Sequence, residues 1–408
     1  GAVSSGMFAK GERRTLPVVL PTSRLAGSDV VVAGAADSGN VTNLLYRNSD
    51  GLAIGLSLDP ASRRWHSTQL PATASLGEQT FGDLVTWFDP KRPGRQFGAG
   101  AAASGLVIFE RASATEPWTA RSFASARPIK GGLTQFFTAE GQALIAALAD
   151  NGHVLLFGES LSAGADGLRP WTSTDLSGTE LEPNGDSTPA FVGGLVSFSY
   201  YWNGLNIAGT DANGTIWSVW WSPGQSRWQV ANLSSITGAP VMVGGVTPYL
   251  TVYTLEGGKK YNVTNLVGTG EDGTVFTTWW AEGGAWQTAN LTSIAAGPRL
   301  APGSLSTYVT EWNGTNIAGR DLSTGELVIY WWSPQQGPGN WTYSPLSAVV
   351  DGGRSFVAKP TGFSSAAGPI NVIGRLSDGH VGRYVFEPIG GLGWFWRFEE
   401  PSVLAIDG

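Results

Sequence analysis

The feature that most restricts what this chain can fold into is that it repeats itself. "NGTIWSVWWSPGQSRWQVANLS", Asn213 to Ser234, returns as "EDGTVFTTWWAEGGAWQTANLTS" from Glu271 and as "STGELVIYWWSPQQGPGNWTYSPLS" from Ser323. Fainter copies begin at Ser49, Ala103, Asp150 and Ser377. Their turn glycines are Gly51, Gly105, Gly152, Gly214, Gly273, Gly325 and Gly379, separated by 54, 47, 62, 59, 52 and 54 residues. A period near 50 marks a solenoid or a propeller, because a unit of that size cannot bury its own apolar face and must stack on its neighbours.

Each unit holds four short runs of alternating polarity. In the fourth they are "LVSFSYYW", "LNIAGT", "TIWSVWW" and "RWQVANL", separated by Asn203-Gly204, Asn213-Gly214 and Ser222-Pro-Gly. Asn-Gly pairs predict type I′ hairpins, whose central residues both need positive φ. No segment sustains a 3.6-residue period with helix caps. Four antiparallel strands, seven times over, predict an all-β seven-bladed β-propeller. The domain runs over residues 21–408. Residues 1–20 are a tail or a ring-closing segment, and the stretch from Pro401 also lies outside the repeats. One or both of these segments close the ring, by strand exchange or by packing.

Comparing the seven copies separates scaffold from optional positions. The fourth strand carries a tryptophan every time: Trp65, Trp118, Trp171, Trp228, Trp286, Trp341 and Trp396. An invariant ring of that size reads as a packing anchor. In the third strand Trp217, Val219 and Trp221 share one face, a core face between blades. The position of Trp220 behaves differently, its counterparts being Ser57, Arg111, Gly158, Trp279, Trp331 and Val385. Trp220, Trp279 and Trp331 therefore form an arc on consecutive blades, with two roles open: ligand contact or edge packing. The second strand opens with Asn43, Asn206, Asn265, Asn316 and Asn371, read as backbone-bonding groups between blades. Arg47, Arg320 and Arg375 follow in neighbouring blades and read as solvated or ion-paired. The first turns of blades 4 and 6, "YWNG" and "EWNG", place Trp202, Asn203, Glu311, Trp312 and Asn313 at one rim with Trp220 and Trp331. With Arg320 nearby, this rim is the candidate binding site. The alternative is that the turn tryptophans only cap the apolar end of each blade.

Other chemistries find little support. The chain has no cysteine, so disulfides, thiolate metal sites and thiol nucleophiles are excluded. His153 and His380 fall at one repeat position on distant blades and read as surface turn residues, and no histidine pair has metal-ligand spacing. The hairpins "DANG", "GEDG" and "LSDG" lack the alternating carboxylates of calcium loops. No metal and no cofactor are expected. A net charge of −7 without a basic stripe argues against nucleic acid. No apolar run reaches the ~18 residues of a membrane helix, so membrane insertion is not expected. Glu110, Glu256, Glu311 and Asp211 are candidate carboxylates for glycosidase chemistry, which needs two of them facing each other.

The stretch "NIAGTDANGTIWSVWWSPGQSRWQVANL" resembles the blades of bacterial and fungal propeller lectins, the tectonin and fucose-binding types. The match is good over blades 4 to 6, moderate in blade 7 and weak in blades 1 to 3, which lack the Trp-Trp pair. The resemblance implies sugar binding in pockets between neighbouring blades, by aromatic stacking and by Arg, Asn or Glu hydrogen bonds. The expected function is a non-enzymatic recognition propeller, extracellular or at the cell surface, whose partner is a glycan or surface polysaccharide. The alternatives are a structural or protein-interaction module that meets other surface proteins and, behind it, a polysaccharide-cleaving enzyme.

Overall fold

A computed structural model describes residues 31–71, 80–366 and 368–407. Seven antiparallel sheets follow one another along the chain, over residues 33–69, 81–124, 129–175, 191–232, 243–290, 306–345 and 361–399. Each is a four-stranded meander, and the fourth shows the pattern: Phe191–Ser199, Leu205–Asp211, Ile216–Trp221 and Gln229–Asn232. The first strands touch in turn around a central axis, and that of blade 7 meets that of blade 1. The chain is thus a closed seven-bladed β-propeller.

Alternation builds the core. Successive side chains of a strand point to opposite faces, so each blade offers one apolar face to the blade before and another to the blade after. Among the described residues there is one hydrophobic cluster at every junction. Trp217 and Trp221 pack with Val219 towards blade 3, whereas Ile216 packs towards blade 5. The fourth-strand tryptophans all lie against these clusters or within them. Trp65, Trp118 and Trp171 are buried, while Trp228, Trp286, Trp341 and Trp396 are half-buried.

The ring is closed from the C-terminal side. After blade 7 a short helix, Pro401–Leu404, leads to Ile406–Asp407, which adds a fifth, parallel strand to the outer edge of blade 1 (Ile406 opposite His66, Asp407 opposite Ser67). Leu404 and Ala405 pack on the cluster that holds Tyr46, Trp65 and Val381. Residues 1–20, the other candidate for closure, lie outside the described residues.

Several local expectations need correction. The Asn-Gly turns are not type I′. Tyr200 and Gly204 close a three-residue loop in which Asn203 alone has positive φ (70°), and Asp211 and Thr215 close another in which Gly214 does (72°). A turn followed by one left-handed residue is the usual three-residue hairpin, and Asp211 favours it by accepting the amides of Asn213 and Thr215. The second-strand asparagines are buried, but Asn265, Asn316 and Asn371 bond within their own blades, and Asn43 crosses to the Thr86 hydroxyl of blade 2. Arg47 is buried, Arg320 is half-buried, and both bond to backbone. Arg47 donates to the carbonyls of Thr80 and Gly82, and Arg320 to that of Val357, so each holds the entry of the next blade. His153 and His380 are not surface residues either. His153 sits between Asp175 and Glu182, and His380 is buried against Ser402.

Blade 2 also breaks the repeat register. Its middle hairpin has two loop residues, between Ala102 and Gly105, where blade 4 has three, between Asp211 and Thr215. The shorter loop shifts the face, so the structural counterpart of Trp220 is Glu110. Arg111 points the other way, 4.6 Å over the Trp118 ring.

Candidate functional site

The site is built where blades 6 and 7 meet. On blade 6 the third strand, Leu327–Trp332, turns Ile329 and Trp331 towards blade 7, and Trp331 stands opposite Asn316 in register. The Trp331 indole N–H donates to the Ser344 hydroxyl at 3.1 Å, which fixes the ring. On blade 7, Phe386 and Trp396 are cross-strand partners with centroids 5.3 Å apart, and they form the facing wall. Between these walls lies a cavity of about 500 Å³, lined also by the buried Ile329, Leu346 and Ile370 and by Thr310, Trp312 and Gly314 of the blade 6 turn. Trp312 stands on that turn 41% exposed, edge-on to Trp394 at 6.4 Å. Trp394 was missed in the sequence, yet its signal was present. Trp394 and Trp396 are two apart on one strand and so share a face.

The same aromatic set recurs at the two preceding junctions. Trp220 is opposite Asn206 and Trp279 opposite Asn265, and the following blades supply Trp280 with Trp286 and Trp332 with Trp341. At the junction of blades 4 and 5 the rim tryptophan is turned inward. Trp202 stacks on Tyr200 at 5.0 Å and 23°, Tyr200 meets Trp280 at 5.5 Å, and the indole nitrogen of Trp202 is buried without a partner. Trp202 is half-buried where its repeat counterpart Trp312 is exposed.

The other predicted site residues divide sharply. Glu311 is exposed beside Trp312. Asn203 and Asn313 reach back to the preceding blade: the Asn203 side-chain oxygen accepts from the Ala139 amide, and Asn313 donates to the Val252 carbonyl. They anchor the rim turns. Arg320 ends a strand that begins at Thr315, about 3.3 Å per residue away from the rim. It is at the opposite end of the blade and does not join Trp312. The candidate carboxylates are scattered as well. Glu110 is held by Arg95 and Arg121, and Asp211 accepts the Trp217 indole N–H, while Glu256 and Glu311 occupy exposed turns of different blades. Among the described residues no group of three or more His, Asp or Glu could hold a metal ion, and no helix is long and apolar enough to cross a membrane.

Two other junctions are filled with charge. Between blades 7 and 1, Glu399 bridges Arg383 and Arg397 at 2.5 and 2.9 Å, Glu387 joins Arg397 and Arg63, and the Trp65 indole donates to Glu399. Burial by itself raises the pKa of Glu399, but the two guanidinium groups outweigh it and hold the carboxyl down at about 2. Between blades 2 and 3, Arg92 pairs with Glu159 while Arg95 and Arg121 flank Glu110.

No protein-family model matches the sequence, and a comparison with curated proteins finds no match. Solved structures do match. The BP39L lectin from Burkholderia pseudomallei superposes with a TM-score of 0.66 at 16% identity, over 91% of this chain and 98% of that one. The two chains share the β-propeller fold. AofleA from Arthrobotrys oligospora is similar over 83% of this chain and 98% of its own, at 12% identity and a TM-score of 0.50. The Aleuria aurantia lectin, solved in complex with Fucα1-6GlcNAc, covers 92% and 96% at 12% identity and a TM-score of 0.46.

Proposed function

We propose that this chain is a carbohydrate-recognition propeller, acting outside the cell or at its surface, and that it binds a glycan in the pocket between blades 6 and 7. The observation that carries the reading is the cavity of about 500 Å³ walled by Trp331, Phe386 and Trp396. The C–H faces of a pyranose stack on aromatic rings, and Asn316 and Gln335 supply polar groups at the wall. The lectin fold shared with BP39L supports it. Binding of the chain to a glycan array tests it, with Trp331→Ala as the control. Saturable binding that the substitution abolishes is expected, and silence across neutral and charged glycans would overturn the reading.

A second reading, a protein-docking module of a surface assembly, is favoured by one feature of the opposite rim. Ile236, Ile294 and Val349 are exposed at the same repeat position of blades 4, 5 and 6, on the short helices Leu233–Thr237, Leu291–Ala295 and Leu346–Val349. Sedimentation of the chain with and without a bound saccharide separates the two, because self-association through that rim is independent of the sugar pocket.

A further inference from the structure

Resting on the protein-docking reading, we infer that the rim opposite the sugar pocket, across blades 4 to 6, takes a polypeptide segment of a partner protein in which aliphatic side chains alternate with lysine or arginine. Three observations converge. First, the fold does not need the aliphatic side chains exposed there. In each of these blades the short helix is pinned by its second residue, whose hydroxyl accepts the amide that opens the third strand: Ser234 from Ile216, Thr292 from Val275 and Ser347 from Leu327. The first residue of each helix, Leu233, Leu291 or Leu346, is buried in the core. Ile236, Ile294 and Val349 stand outside both tasks, 44–65% exposed. Val241, Val243 and Leu322 are exposed on the same rim, Val241 against the turn glycine of blade 4, Gly214, and Leu322 against that of blade 5, Gly273.

Second, blade 7 shows how this repeat position is covered. Its helix is pinned in the same way, Ser402 accepting from Val381, but the counterpart side chain, Leu404, is packed, and the chain runs on from it to pair with the outer strand of blade 1. The cover there is a polypeptide strand. Third, the rim carries uncompensated negative charge. Glu271 and Asp351 are exposed and Glu326 is half-exposed, and none of the three carboxylates has a hydrogen bond or ion pair among the described residues. The cations of the same hairpins and crossings are engaged: Arg299 with Asp272, Arg320 with the Val357 carbonyl, and Arg354 with Asp378 and Glu400. Lys359, at the end of the last crossing, interacts with Asp83 of blade 2. Two copies meeting by this rim would set carboxylate against carboxylate, whereas a cationic partner complements it.

The test is a fluorescence-anisotropy titration of the whole chain with three labelled peptides of equal length, one alternating Leu with Lys, one Leu with Glu and one Ser with Lys. The Leu/Lys peptide should bind about tenfold or more tighter than either of the others, the gain for one buried aliphatic side chain. Its margin over the Leu/Glu peptide should narrow at high salt. Ile236→Asn combined with Ile294→Asn should remove the binding. Glu271→Lys combined with Glu326→Lys and Asp351→Lys should transfer the preference to the Leu/Glu peptide, and thermal melts show that both variants are folded. If the Leu/Glu peptide binds the parent chain as well as the Leu/Lys peptide does, or if the chain instead self-associates by this rim on sedimentation, the inference falls and the docking reading stands. If Leu/Lys binding survives the loss of Ile236 and Ile294, the inference falls. If no peptide binds and the chain does not self-associate, both fall.

Discussion

Trp202 and Trp312 occupy one repeat position in one kind of turn, and they do different work. The turns share their geometry, with Asn203 at φ 70° and Asn313 at φ 59°. A side chain on the glycine that follows would meet the six-membered ring of Trp202 at 2.4 Å but the pyrrole edge of Trp312 at 2.9 Å. The Trp202 ring is therefore laid inward on Tyr200, and the Trp312 ring is tipped outward to Trp394. Their burial separates the expected costs of removing them, Trp202 being half-buried and Trp312 exposed. Trp312→Ala should shift stability by no more than about 0.5 kcal/mol, as for other exposed positions, and should weaken saccharide binding. Trp202→Ala should cost about 2 kcal/mol, below the ~3–5 of a fully buried ring because Trp202 is half-buried, and should leave blade 6–7 binding intact. Denaturant melts and titrations of the two single variants check this.

At the scale of the strand, an invariant residue proves to be scaffold in some copies and scaffold plus pocket wall in another. Trp286 packs on the blade 4–5 cluster and on Trp280, whereas Trp396 packs on the blade 6–7 cluster and also lines the cavity. Trp286→Ala should lower stability by about 3 kcal/mol, near the bottom of the range for large aromatics, with ligand preference unchanged. Trp396→Ala should lower both stability and affinity. Equal loss of affinity in the two variants would contradict this division. Repetition made the strands, the faces and the anchors legible, because alternation gives the same answer wherever the hairpin length is kept. It failed at Arg111, where a loop shortened to two residues turned Glu110 towards blade 3 instead. Arg320 was drawn towards the rim by nearness in the chain, although a strand carries its ends apart. Whether a rim tryptophan lies inward, as Trp202 does on Tyr200, or outward, as Trp312 does towards Trp394, depends on ring orientation, which residue type alone does not encode.

For the whole molecule the junction of blades 7 and 1 is the joint that makes a row of sheets into a ring. Glu399 there has its carboxyl lowered from 4.5 to about 2. A depressed carboxylate pKa contributes stability that is fully present above the unfolded value and is lost as pH falls through the folded one. The joint should therefore weaken between pH 4.5 and about 2. Thermal melts across that window should show a steeper fall for the parent chain than for Glu399→Gln. Parallel curves would place the acid sensitivity elsewhere.

The strand formed by Ile406–Asp407 has a meaning in time as well as in space. Blade 1 is made early, and its outer strand, Arg64–Gln69, receives its parallel partner only after blade 7 has been synthesised. Until then no other strand among the described residues covers that outer edge, and open edges of this kind recruit strands from other chains. The last residues to join the ring are the ones that retire its earliest exposed edge, so an interrupted chain is left both unclosed and adhesive.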